Sequence, residues 1–196
     1  MLNGAHSALA YLGALAGHQT KSDTVADPVF ARYVQRLWMT AIIPTVAAPS
    51  GINLPDYASA LLQRFANPAI RHLTSQIAMD GSQKLRQRIL GTLRNNHAAG
   101  RASPGLTLAL AGWMRYIRGV DEDGQTFEVK DPLAARFREL SHSADTSADF
   151  VRAILGLSQI FDPAQAAQLQ VPVVRAFDSL LTHGAGGAVQ LLANTP

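Results

Sequence analysis

Apolar residues recur at three- and four-residue intervals along almost the whole chain, and strand-like alternation is nearly absent. That spacing predicts one helix after another, each turning a single face to a shared core. The breaks between periodic segments include Asp27-Pro28, Asn67-Pro68 and Asp131-Pro132, where a capping side chain precedes a proline. Proline suits the first helical position because the N–H it lacks has no partner there. The expected helices begin with Leu2–Gly17 and Pro28 to about Pro44, then Leu54–Phe65 and Pro68 to about Met79. They continue over Gln83–His97, Leu106 to about Gly119, Pro132–Leu140, Ser147–Gly156 and Val171–Leu181, with a short last one after Gly187. Their inward stripes are Val29, Phe30, Tyr33, Val34, Leu37, Trp38 and Ile42; then Tyr57, Leu61, Leu62 and Phe65. Leu85, Ile89, Leu90 and Leu93 follow, and then Leu106, Leu110, Trp113, Met114 and Ile117. Only Thr126-Phe127-Glu128-Val129 reads as extended. The expectation is an all-α domain over residues 1–196, and 47% hydrophobic against 16% charged residues supplies its core.

Composition excludes several function classes. The net charge is +3, and the most basic stretch (Lys84, Arg86, Arg88, Arg94, Arg101) has no interleaved aromatic residue on which bases could stack. No nucleic-acid partner is expected. The chain has no cysteine, and its six histidines show no HxxxH or HExxH spacing, so neither disulfides nor a metal site is expected. Asp121-Glu122-Asp123-Gly124 lacks the alternating ligands and closing glutamate of a calcium loop and reads as a charged turn. Leu2–Gly17 superficially resembles a secretory leader, but it lacks a basic start and is interrupted by Asn3 and His6. No apolar run reaches spanning length, so a cytoplasmic protein without membrane partners is expected.

Chemistry is sparse. No GxGxxG or Walker loop is present, and Gly184-Ala185-Gly186-Gly187 follows a helix, where a helix terminus explains it better than a phosphate cradle. Ser7 beside His6 has no strained elbow around it and makes no triad. Asn3 and His6 stand three apart, on one face of an otherwise apolar helix, and need partners to be stable there. A half-site and a satisfied buried pair both explain them. Gln76, Asp80, Lys84 and Arg88 are the other candidates. The last three share a face if one helix runs through Gly81, and a surface salt-bridge ladder is the alternative.

Several segments, in order, resemble one family. They are Leu2-Asn3-Gly4-Ala5-His6-Ser7 with Ala10–Gly13, Arg64-Phe65-Ala66-Asn67-Pro68-Ala69-Ile70, Gln76–Leu85, and Trp113–Tyr116 with Asp131–Ala134. Together they resemble the C-terminal domain of the long-chain mannitol dehydrogenases, zinc-independent polyol enzymes. Gln76-Ile77-Ala78-Met79-Asp80-Gly81-Ser82-Gln83-Lys84 is most similar to the fructuronate reductase (D-mannonate oxidoreductase) branch. The resemblance implies a multi-helical fold of the 6-phosphogluconate dehydrogenase C-terminal-like type. It also implies a separate Rossmann domain that binds NAD, no metal, and a sugar acid or polyol substrate. The family motif is a lysine base, four residues, an asparagine, two residues and a histidine. Asn3 and His6 match its later members, and the lysine falls before Met1. Asn3 is then expected to donate to the developing alkoxide, and His6 to orient the substrate hydroxyl. Lys84 matches a substrate-contacting lysine, with Gln76, Asp80 and Arg88 beside it. Gln76 stands where mannitol dehydrogenases carry arginine, which favours the fructuronate branch. Arg86 in place of proline, and Leu73 and Ser75 in place of that branch's arginine and tryptophan, depart from it. The expected reaction interconverts D-fructuronate and D-mannonate. Alternatives are a mannitol or arabinitol 2-dehydrogenase, another dehydrogenase of the family, or a stand-alone helical module without catalysis. The isolated chain is expected to be inactive.

Overall fold

The computed structural model describes residues 1–194, and every regular element among them is helical. Helix α1 (Leu2–Leu15) is built largely from Ala, Gly and Leu and is buried along nearly its whole length. Its small residues let neighbours come close: a Cβ on Gly4 would lie 2.7 Å from the Arg88 carbonyl oxygen. Helix α2 (Lys21–Ala26) starts with a reciprocal cap, in which Thr20 Oγ1 accepts from the Asp23 N–H and Asp23 accepts from the Thr20 N–H. Helix α3 (Pro28–Leu37) has the expected Asp27 cap, with Oδ1 accepting the Val29 N–H at 2.7 Å, and runs on through a π-helical turn at Trp38–Ile42.

Helix α4 (Leu54–Ala66) and the short α5 (Thr74–Ala78) follow. Then α6 (Gly81–Leu85), a second π-helical turn at Arg86–Leu90, and α7 (Gly91–Ala98) form one continuous run. Helix α8 (Pro104–Tyr116) is the centre of the molecule, buried on almost every side and packed between α1 and α11 (Pro163–Asn194). Helices α9 (Ala134–Ser143) and α10 (Ser147–Leu155) complete the shell, α10 lying on α11. One apolar cluster joins residues from Ala5 to Val189, so the chain has one core.

Most of the predicted stripes point inward. Phe30, Tyr33, Val34, Leu37, Trp38 and Ile42 are buried, as are Leu85, Ile89, Leu90, Leu93, Leu106, Leu110, Trp113, Met114 and Ile117. Tyr57 does not follow its stripe: it is 42% exposed. Asn67-Pro68 starts no helix. Asn67 closes α4, its side chain accepts the Ala69 N–H in a turn, and the chain stays irregular to Thr74. The cause is tertiary: Lys21 N–H bonds the His72 carbonyl, Thr74 N–H bonds the Gln19 carbonyl, and Thr20 bridges Leu73. These contacts hold the segment against the start of α2 in place of a helical turn. Thr146, rather than Ser147, caps α10, and α11 begins at Pro163 behind an Asp162 cap, eight residues before the expected start. Pro172 sits inside α11, and Gly184 (φ 67°) breaks its helical geometry. Thr126 and Phe127 are extended, but they form only a single bridge with Val120 and a bond to Gly119.

Gly81 marks the tightest junction. A methyl group there would run into the Trp113 indole nitrogen and lie 2.8 Å from the Tyr11 hydroxyl. Gly81→Ala is therefore expected to destabilise by about 1–3 kcal/mol through overpacking. That outweighs the helix-propensity gain of at most about 1 kcal/mol. Urea denaturation monitored by far-UV circular dichroism measures it.

Candidate active site

Asn3 and His6 lie one turn apart on α1 but face different surroundings. Asn3 is exposed and lines a cleft of about 760 Å³, together with Met1, Ile52, Tyr57, Arg88 and Asn95. That size falls within the range of small-molecule sites. His6 is half-buried and stacks on the Phe65 ring, with centroids 4.8 Å apart and planes 19° from parallel. The His72 ring meets it edge-on at 5.7 Å. His6 Nε2 is buried and has no hydrogen-bond partner among the described residues. An unsatisfied ring nitrogen costs free energy unless a ligand or water completes it.

Arg88 connects the two residues. Its guanidinium donates to Ser7 Oγ at 3.1 Å, it lines the Asn3 cleft, and its charge reaches His6. Its placement comes from the π-helical turn at Arg86–Leu90, a distortion often found at functional sites. The ladder expected from Asp80, Lys84 and Arg88 does not form as one face. Asp80 precedes α6 in the left-handed region (φ 53°), so the helix starts after it. Lys84 Nζ stays local, donating to the Met79 carbonyl at 2.6 Å and lying 3.7 Å from Asp80 Oδ2, while Arg88 turns to α1. Gln76 is exposed on α5, which packs against α1. Two arginines of the basic run beyond it are tied to the fold. Arg86 donates to the Ile160 and Ser158 carbonyls, and Arg101 to Asn96 Oδ1.

The sequence reading missed Lys21. The residue is only 4% exposed, and its Nζ sits 4.7 Å from the Phe65 ring centroid. No carboxylate among the described residues lies within ion-pair distance of it. Burial pushes its ammonium below the usual lysine range, and Arg64 adds to the shift. A cation–π contact supplies about 0.5–2 kcal/mol. The low exposure belongs mainly to its stem: Nζ is not among the buried unpartnered atoms, so the ammonium lies over the ring while still meeting solvent. No local signal marked Lys21. It joins His6 only because Thr20 bridges Leu73.

Burial, followed by the charges of Lys21, His72, Arg88 and Arg64, pulls the His6 imidazole down to about 4. His6 is therefore neutral near pH 7, able to offer one ring nitrogen as donor and the other as acceptor.

The remaining motifs settle into structural roles. Asp121 Oδ1 accepts the Asp123 and Gln125 N–H groups, closing the acidic turn on itself. Gly184-Ala185-Gly186-Gly187 lies inside the last helical run, and Glu122 accepts the Ala185 N–H, so a carboxylate already occupies that helix start. The described residues form no strand–turn–helix unit of the kind that seats a dinucleotide. Among them, no group of three or more His, Cys, Asp or Glu side chains could hold a metal, and no helix is long and apolar enough to cross a membrane.

Residues 1–181 match the family model of the mannitol dehydrogenase C-terminal domain, and the chain belongs to that family. D-mannonate oxidoreductase of Escherichia coli K12 is 45% identical over 98% of this chain and 40% of its own length. The Pseudomonas fluorescens mannitol 2-dehydrogenase, solved as a ternary complex with NAD and D-mannitol, superimposes with a TM-score of 0.93. It shares 31% identity over all of this chain and 40% of its own. A substrate-free D-sorbitol dehydrogenase structure superimposes with a TM-score of 0.85 at 27% identity, over 96% of this chain and 39% of its own. The chain thus spans about two fifths of these relatives.

The His6 shift has a definite sign. Between about pH 4 and the ordinary 6.5, the unfolded chain binds a proton at this position that the folded chain refuses. Stability is therefore expected to fall as pH drops through that window, and His6→Gln should flatten this part of the profile. Thermal denaturation at stepped pH, with NMR titration of the His6 ring, provides the measurement.

Proposed function

We propose that this chain is the substrate-binding part of an oxidoreductase that interconverts D-fructuronate and D-mannonate. In the reaction a hydride passes reversibly between a secondary alcohol carbon and a nicotinamide cofactor, which would supply the redox chemistry when bound. The 45% identity to D-mannonate oxidoreductase across almost the whole chain carries the reading. NAD and the proton-accepting lysine belong, in this proposal, to polypeptide joined to this chain.

The chain's own residues act on the alcohol side. The Asn3 amide donates to the oxygen on which charge develops, from the edge of the cleft it lines. Neutral His6 accepts from or donates to a substrate hydroxyl through its unpartnered Nε2 and so fixes the orientation of the sugar chain. Gln76, Lys84 and Arg88 contact substrate hydroxyls, with Asp80 holding Lys84 in place. Placement in the cytoplasm accords with a soluble metabolic enzyme of this kind.

The test uses the polypeptide in which this chain is joined to its cofactor-binding portion. D-fructuronate should be reduced with NADH at a higher kcat/KM than D-fructose. Faster reduction of D-fructose would overturn the substrate while leaving the family intact. In the same protein, Asn3→Ala should lower kcat by about 10²–10³-fold, the loss typical of an oxyanion donor. Unchanged turnover would remove Asn3 from the chemistry.

A further inference from the structure

We propose that Lys21, together with Arg64 and His72, forms a carboxylate subsite beside His6 that takes the acid end of a sugar acid. This rests on the oxidoreductase reading for its substrate, but its geometry stands separately.

Phe65 is the centre of the arrangement. His6 stacks on its ring at 4.8 Å, and the Lys21 ammonium sits over the ring at 4.7 Å. The edge of His72 closes on His6 at 5.7 Å, and the His72 carbonyl accepts the Lys21 N–H at 2.9 Å. The charged neighbours acting on His6 are Lys21, His72, Arg88 and Arg64, from four separate segments, and none is acidic. Nearby acids are engaged elsewhere: Asp23 caps α2, and Asp27 caps α3 and faces His18 at 3.8 Å.

Lys21 thus presents its ammonium over the Phe65 ring among other basic side chains, with no carboxylate of the described residues paired to it, a setting that favours an anionic ligand. A polyol offers only hydroxyls, which a neutral histidine and an amide can satisfy. A carboxylate supplies the missing negative charge. Arg88 is already committed to Ser7 Oγ, whereas neither Lys21 Nζ nor the Arg64 guanidinium donates a hydrogen bond to a protein group among the described residues. Those two, with the exposed His72 ring, are free to receive it. His6 then meets a hydroxyl while Lys21 holds the acid, and Phe65 sets the separation between them. This separation makes Lys21 a residue that selects for acids over polyols.

Two measurements test it. The 196-residue chain is titrated with D-mannonate and with D-mannitol while the His6 and His72 ring signals are followed by NMR. D-mannonate alone should shift them, and Lys21→Met should abolish the shift. Equal shifts with both ligands, or none with either, overturn the subsite whatever the enzyme reduces. In the joined polypeptide, Lys21→Met should raise the KM for D-fructuronate about 10-fold and lower the preference for D-fructuronate over D-fructose by a similar factor. Lys21→Arg should restore most of it. An unchanged preference ratio rejects the subsite. If the wild-type protein fails to reduce D-fructuronate at all, the proposed reaction falls while the NMR result still decides the subsite.

Discussion

A single carboxylate fixes where the second half of the site stands. Asp131, in the loop before α9, accepts the Ser82 N–H at 2.8 Å and the Ser82 hydroxyl at 2.6 Å, as well as the Leu133 N–H at 3.0 Å. The Asp80 N–H bonds the Lys130 carbonyl beside it. Together these hold Asp80 in the left-handed region, which costs a side chain about 1–2 kcal/mol. Hydrogen bonds to a charged group contribute about 1.5–3 kcal/mol each, so the clamp prevails over the strain. Its result is directional. Gly81, pressed against Trp113 and Tyr11, seats the start of α6 tightly against α8 and α1. Lys84 then folds back to Met79, and Arg88 reaches Ser7.

The helices were legible in the sequence because a core that buries one face imposes a period on it. Asp27-Pro28 behaved as a local rule requires, since its cap bond spans two residues and needs nothing else. Asn67-Pro68 carried the same pattern and failed, because the backbone after it is claimed by Gln19, Thr20 and Lys21. Asp131 failed more subtly: it bonds the nearby Leu133 N–H, yet its main partner is Ser82, 49 residues away. Asn3 and His6 were visible as polar interruptions in an apolar run. Lys21 was invisible, since a lysine at a helix start reads as surface until the bridge between Thr20 and Leu73 closes over it. What the sequence withheld was long-range pairing, which leaves no periodic trace.

Electrostatics sharpens the contrast between the two ends of α1. Toward Asn3 the surroundings are open and mixed, with Tyr57, Asn95 and Arg88 around a cleft. Toward His6 the charged neighbours are all basic. A neutral imidazole is the form compatible with that setting, because protonation would add one more positive charge to the group. The basic character therefore determines the hydrogen-bonding capacity of His6 as well as the ligand charge the region favours.

The π-helical turn at Arg86–Leu90 bears on how this domain can change over evolutionary time. It stores one extra residue in a helical run that touches both α1 and the loop carrying Ser158 and Ile160. Removing that residue would restore ordinary helical winding and rotate everything on one side relative to the other by about 100°. Arg86 and Arg88 could not then both keep their partners. The length of this run is thus constrained more tightly than its composition: side chains here can be exchanged one at a time, whereas a single-residue deletion has no conservative form.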